Sequence, residues 1–313
     1  MARAQGARAQ LLLATESVYG TAPASGFVRM PFATTTLGQE GPLLDNELLG
    51  YGRDPLAPSQ DAKTVDGNVV VPIDAMGIGY WLKGLLGVPV TTGSGPYTHT
   101  FQSGGWTLPS LALEKGHPEV PAFEMYSGIG VDSIEFSAQR AGLLQATVGL
   151  IGQKMVEASA SAAGTPADLT LTRMLQFHGA VKRDGVTLGN VVSLSMRYTN
   201  NLDRVEVIRG DGYIAGVDPS IAALSGQLVA RFDSTTLHQQ AADGSPCELE
   251  LSWTISASAS LKLTAHAVYL PQVRRPVEGP GGIQCSFDLR GALAASPARM
   301  LTAVLVNSVA SYA

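Results

Sequence analysis

Five histidines, two cysteines and a scatter of carboxylates, serines and glycines are the residues of this 313-residue chain that could carry chemistry. The histidines are His99, His117, His178, His238 and His266; no two stand three to five residues apart and none neighbours a cysteine. The ligand spacing that wraps a tetrahedral zinc is therefore absent. Cys247 and Cys285 read as two reduced, packed thiols. Serine is abundant, but none lies in the Gly-x-Ser-x-Gly turn that lifts a nucleophile above a sheet, and Gly93-Ser94-Gly95 reads as a loop. Gly77-Ile78-Gly79 and Gly279-Pro280-Gly281-Gly282 match neither a phosphate-cradling loop nor a dinucleotide fingerprint, so they read as turn or packing glycines. The pairs Asp132/Glu135 and Asp61/Asp66 have the residue types for acid–base work, yet beside strands they read as solvated edges. Arg209-Gly210-Asp211 spells an adhesion tripeptide and is expected simply to end a strand at an Asp-Gly turn. No catalytic, cofactor-binding or metal-ligating residue is assigned, and no enzyme activity is expected.

Composition points elsewhere. Charged residues are 15% of the chain, against roughly 25% in an average globular domain, and mean hydropathy is +0.14. Either the chain lies in a membrane or other subunits cover much of its surface. A spanning helix needs about 20 consecutive apolar residues, and the best runs, 143–151 and 300–313, are short and interrupted. The N-terminus has Arg3 and Arg8 but only Leu11, Leu12 and Leu13 before Glu16, which is no signal peptide. Subunit burial is the better account. A net charge of −5, with Arg274-Arg275 as the densest basic cluster, argues against specific nucleic-acid binding.

The elements are mostly strands. Leu249, Leu251, Trp253 and Ile255 alternate with polar residues, the period of a strand with one buried face. Further strands are expected at 97–102, 111–114, 131–137, 143–149, 191–198, 204–209, 248–255, 261–269, 283–289 and 300–306. Asp184-Gly185 marks the tip of a hairpin over 181–187. Short helices are expected at 76–86 and 234–242, the second capped by Asp233 or Ser234. Residues 157–168, rich in Ala and Ser, read as a linker at the midpoint. Around it the landmarks repeat in order. Gly50-Tyr51, Asp54-Pro55 and Gly67 to Asp74 in the first half are echoed by Gly212-Tyr213, Asp218-Pro219 and Gly226 to Asp233.

Three motifs resemble those of bacteriophage major tail tube proteins of the long-tailed, siphophage-like kind. The first is Glu16-x-x-Tyr19-Gly20-Thr21-x-Pro23 behind an apolar stretch. The second is the Gly67 strand followed by Tyr80-Trp81-Leu82-Lys83-Gly84-Leu85-Leu86-Gly87. The third is Tyr97 to Phe101 leading into Leu108-Pro109-Ser110-Leu111-Ala112-Leu113-Glu114. The resemblance implies a mainly β chain of two duplicated tail-tube-type β-sandwich or barrel domains, each with a short helix. Their inner sheets would join across subunits into a closed barrel around a lumen, removing sheet edges that invite aggregation.

The expected organisation is an N-terminal arm at 1–26, a first domain at 27–156, the linker at 157–168 and a second domain at 169–313. The arm is read as an extension that orders against the next ring, the alternative being a strand of the first domain. The implied product is a stack of rings through which genomic DNA passes without specific binding, mild acidity discouraging adhesion. With two domains per chain, three chains would complete a six-fold ring. Partners would be the chain itself, the tape measure protein, the tail terminator and baseplate proteins, with no cofactor and no membrane; the product belongs in the virion tail, assembled in the bacterial host cytoplasm. The loops 37–64 and 199–225 are candidates for ring stacking. Two rival readings remain: another β-rich virion component such as a terminator, baseplate hub or decoration protein, and a carbohydrate-binding β-sandwich using Trp81, Trp106 and Trp253.

Overall fold

Alternation of apolar with small polar residues governs nearly every long element, so the chain folds into strands whose two faces differ in kind. The computed structural model describes residues 3–312 apart from Glu278; residues 1 and 2 of the expected arm and the terminal Ala313 lie outside the described residues. In the first half the elements are β1 (Gln10–Thr15), β2 (Thr34–Thr35 with Gly38–Glu40), β3 (Thr64–Pro72) and α1 (Ile78–Leu86), followed by β4 (Tyr97–Gln102), β5 (Leu111–His117), β6 (Ala122–Gln139), β7 (Gln145–Gly152) and β8 (Lys154–Ala158). The second half holds β9 (Gly179–Arg183), β10 (Val191–Thr199), β11 (Ala223–Arg231) and α2 (Thr236–Asp243). It ends with β12 (Cys247–Ser256), β13 (Ala259–Tyr269), β14 (Gln284–Gly291) and β15 (Leu301–Asn307).

The principal sheet is antiparallel throughout, in the order β2–β3–β7–β6–β10–β11–β14. Its passage from one half of the sequence to the other is the β6–β10 ladder, which runs from Ser133 opposite Thr199 to Gln139 opposite Ser193. Two further ladders branch from it. One runs β1–β5–β6–β8, and the other β9–β12–β13–β15–β4. β6 serves both the principal sheet and the first ladder, bending at Gly128 (φ 66°) and shifting register between Val131 and Ser133.

Pairing in the two halves can be set side by side. β3 lies between β2 and β7, and β11 between β10 and β14. β5 pairs with β1 and β6, and β12 with β9 and β13. β6 meets β7 and β8, and β13 meets β14 and β15. β3 and β11 share one burial pattern over their first eight residues, with Gly67 and Gly226 at the same position. Each glycine lies where another backbone approaches: a Cβ on Gly67 would be 2.6 Å from the Leu37 backbone, and one on Gly226 would run into the Ser195 carbonyl oxygen. Leu37 and Met196, the buried residues opposite them, hold β2 and β10 in register. Replacing Gly226 by Ala must push two hydrogen-bonded strands apart, which should cost about 2–3 kcal/mol of stability. Urea denaturation checks this, and an unchanged midpoint would remove the close approach as a cause.

The helices arrive slightly later than the sequence suggests. α1 begins at Ile78, after a turn in which the buried Asp74 carboxylate accepts from the Met76 and Gly77 amides at 2.9 and 2.8 Å. Burial pushes the Asp74 pKa up, opposed by those two amides. Neither Asp233 nor Ser234 caps α2; Thr235 stands at that position without a side-chain cap bond, and Asp233 accepts from Asn190 instead. Both helices lie on the apolar side of the sheet, α1 with Gly84 against Val131 and α2 with His238 edge-on to Phe287. Trp253, Phe101, Phe136 and Phe287 are fully buried in the same cluster, each contributing about 2–3 kcal/mol by removal from water.

One expectation is corrected here. The strand expected at 204–209 is confined to Asp203–Val205, paired with Gly216–Asp218, because Arg209 turns back to bind Asp211 and the chain rounds a tip. Within one chain no barrel closes: β2 pairs only with β3 among the described residues, and the outer side of β14 is paired only at Arg290 and Gly291, with Tyr269 and Val268 of β13. The segment at 157–168 is packed against the first half, with Ala163 buried and Glu114 accepting from Ser161 and the Ala162 amide. Gln10–Thr15, inside the expected arm, is a buried strand paired along its length with β5.

Candidate functional site

One face of the principal sheet is apolar and buried. The other is lined mainly by hydroxyl and amide side chains, placed there by the period of two, with Val70, Ile151 and Val229 among them. On β2 and β3 this face carries Thr34, Thr36, Glu40, Asp66 and Asn68; on β7, Gln145 and Thr147. β6 adds Ser133, Glu135, Ser137 and Gln139, and β10 adds Ser193, Ser195, Arg197 and Thr199. Ser225, Gln227 and Arg231 of β11 pair across with Arg290, Asp288 and Gln284 of β14. The charges nearly balance, with Glu40, Asp66, Glu135 and Asp288 against Arg197, Arg231 and Arg290. Several are tied down: Arg197 donates to the Ser133 hydroxyl at 3.0 Å, Gln227 donates to Asp288 at 3.1 Å, and Asp66 is ion-paired with Arg204. The surface is polar, without a basic cluster able to hold several phosphates at once.

At the end of this sheet two loops of equal length stand together, residues 41–63 joining β2 to β3 and residues 200–222 joining β10 to β11. The Lys63 amide donates to the Gly212 carbonyl at 2.8 Å, and its ammonium lies 5.1 Å from the Tyr213 ring centre. Tyr213 in turn donates to Gln39 and to the Met155 carbonyl. These loops carry the most exposed aliphatic side chains of the molecule's strand connections, Leu49 at 93% and Ile208 fully exposed, with Leu43, Leu48, Tyr51 and Ile221 beside them. Apolar side chains gathered in this way mark a surface that another molecule covers.

The three sequence motifs converge. The Glu16 carboxylate accepts from the Gly20 amide at 2.9 Å, the Ser110 hydroxyl at 2.7 Å and the Gly128 amide at 2.8 Å. Tyr19 donates to the Gly128 carbonyl at 3.2 Å, and its pKa is pushed up to about 12, first by burial and then by Glu16 and Asp218. Lys83 of the second motif, almost wholly buried, donates to Thr15 of the first at 3.0 Å, and burial lowers its pKa. These residues form a latch that fixes the N-terminal strand and the bend of β6.

The residue types that could have served catalysis are dispersed. Asp132 accepts from the Leu202 amide while Glu135 lies on the polar face opposite Arg197. Asp61 accepts from the Ala62 amide and Asp66 pairs with Arg204. His99 is buried among Thr91, Asn307 and the Val309 carbonyl, and His266 bridges Glu248 and Thr302. Among the described residues no group of three or more His, Cys, Asp or Glu is placed to hold a metal. Cys247 and Cys285 are buried free thiols. Arg209 and Asp211 grip each other through two hydrogen bonds, which holds the Asp211 carboxyl down to about 2 and closes the adhesion tripeptide on itself. A sugar platform is lost: Trp81 and Trp253 are buried in the core and only Trp106 is exposed.

The principal sheet thus spans both halves of the chain, turns a polar face outward and leaves β2 and most of the outer side of β14 unpaired among the described residues. The chain belongs to the phage tail tube protein family, whose model matches residues 6–291. It is thus a structural component of a phage tail, and the three motifs that resembled this family are the ones that build the latch. A search of curated proteins finds no match. No helix among the described residues is long and apolar enough to cross a membrane.

Proposed function

We propose that this chain builds the wall of the tail tube: three copies form a ring, rings stack, and the polar sheet face lines the channel through which DNA passes. The observation that carries this reading is the principal sheet itself. It is open at both ends, polar on one face, and its halves repeat one another's strand pairing. That repetition supports two duplicated domains, 27–156 with its N-terminal strand and 169–313, joined across the tightly packed segment 157–168. The first domain would supply four strands of a common barrel and the second three, so three chains would supply six such units. Closing the sheet around a lumen satisfies both free edges at once.

The composition of the lumen face fits a conduit. Hydroxyl and amide side chains keep it hydrated, and the near balance of charge denies DNA the multiple phosphate contacts that hold it to a surface. In this reading a near balance of charge, rather than mild acidity, accounts for low adhesion. The exposed loops 41–63 and 200–222 would meet the next ring, and the ends of the stack would meet the tape measure, terminator and baseplate proteins.

Electron microscopy of the purified protein at high concentration tests the reading. Open-ended tubes with three chains per ring are expected. Six chains per ring would overturn the trimer, and a single closed ring or a persistent monomer would favour a terminator, hub or decoration protein.

A further inference from the structure

In the first half of the molecule β7 has a neighbour on each side, β3 and β6. Its counterpart β14 has β11 on one side, but on the other only Val268 and Tyr269 of β13, opposite Gly291 and Arg290. After Tyr269 the chain leaves the sheet, and the Gln284–Ser286 edge faces a cleft of about 950 Å³. The far lip of this cleft is formed by Val273, Arg274 and Pro276 of the departing segment. At the opposite end of the sheet, β2 pairs only with β3 among the described residues.

We propose that residues 271–277 enter this cleft as an eighth strand when a second copy of the chain docks, pairing on their outer side with Thr34–Glu40 of that copy. This rests on the ring reading above and specifies the contact that closes the ring. The internal β6–β10 junction supplies the template. Gly130 and Tyr269 occupy matching places, as do Ala146 and Cys285, both 139 residues apart; Gly67 and Gly226 are 159 apart. Carrying the internal pair Ile134–Tyr198 across by these offsets puts Val273 opposite Gln39 of the second copy. Gln272 then faces Glu40, and Arg275 faces Leu37.

Most of the residues suit those places; the exception is Arg275, at the place of the buried Phe136, whose guanidinium lies 4.7 Å over the Phe232 ring. Pro271 corresponds to Asp132, where β6 shifts register against β7 and a bulged residue is not needed for the ladder. Pro276 corresponds to Ser137, beyond the last β6–β7 pair, Phe136–Ala146. Val273 already packs against the core on the side where Ile134 is buried. On the polar face Arg274 would lie diagonally beside Glu40, within reach of a long side chain; the internal junction places Glu135 opposite Arg197 there, with the signs exchanged. A single short ladder with β14, bounded by two prolines, does not repay the entropy of ordering the segment. The second copy supplies the other ladder.

Gln272→Cys combined with Glu40→Cys tests the register, since the native thiols are buried on the opposite face. Oxidation of assembled tubes should convert most chains into a covalent ring, whereas Gln272→Cys with Thr36→Cys should cross-link at least tenfold less. Tubes that form without the cross-link would overturn this pairing and leave the tube reading standing. Failure of the wild-type protein to form rings or tubes would overturn both. Should the cysteine variants fail to assemble, hydrogen exchange on the wild type decides: the amides of Gln272 to Arg275 and of Thr35 to Glu40 should become protected on assembly, and unprotected amides in tubes would refute the proposal.

Discussion

Replacing Glu16 by Ala should destabilise the protein by about 3–5 kcal/mol, the cost expected when a buried charged group is removed from partners that stay buried. The carboxylate is 8% exposed and takes three donors from three separate parts of the chain: the Gly20 turn, Ser110 before β5, and Gly128 at the bend of β6. Without it the Gly20 and Gly128 amides lose their acceptor in a site closed to water, at about 1–3 kcal/mol each. Their positions are not free to relax. Gly20 and Gly128 both have positive φ, and a Cβ on either would strike Gln153. Glu16→Gln keeps the shape but replaces one acceptor oxygen with a donor, so it should cost less than half as much. Urea denaturation of the three proteins measures this. A loss below about 1 kcal/mol for the alanine variant would mean that the latch is ornamental to the fold.

Leu49→Asp combined with Ile208→Asp should abolish tube formation while leaving the chain folded. Both side chains are almost wholly in water in the single chain, so their replacement removes no internal packing and the unfolding midpoint should not move. At a ring-to-ring contact each would bury an aliphatic side chain worth about 1.5–3 kcal/mol. The substitution also places an unpaired carboxylate there, and a ring presents every copy of both loops at once. Rings without stacks are the expected picture in the microscope, with mass by light scattering confirming the ring. Tubes of ordinary length would show that these loops do not carry the stacking contact. A misfolded variant would be recognised by its shifted unfolding midpoint, and the single substitutions would then separate the two loops.

Much of the architecture is legible along the chain because a strand writes its two faces into alternate residues. The strands β10, β12 and β13 and the hairpin at Asp184-Gly185, where both residues take positive φ, follow directly from such local patterns. The repeat of Gly67 and Gly226 is legible for a related reason: a backbone can approach that closely only where there is no Cβ. The Glu16 motif is conspicuous as a string of residues, but its purpose is not, because its partners lie at Ser110 and Gly128. Likewise Ser, Thr and Gln at alternate positions announce an exposed face for each strand without saying that the faces join.

Residue types and periods by themselves determined a mainly β chain of low charge, and they pointed to landmarks that recur in order in its two halves. They also determined the absence of any spacing suited to metal or nucleotide chemistry. Tertiary structure alone decided which strands become neighbours: that β6 runs from one ladder into another and hands the sheet to β10, that the polar faces align into one surface, and that β2 and most of the outer side of β14 are left unpaired among the described residues. The physical reason is that side-chain alternation is a local property of the backbone pleat, whereas strand order depends on hydrogen bonds between residues far apart in sequence.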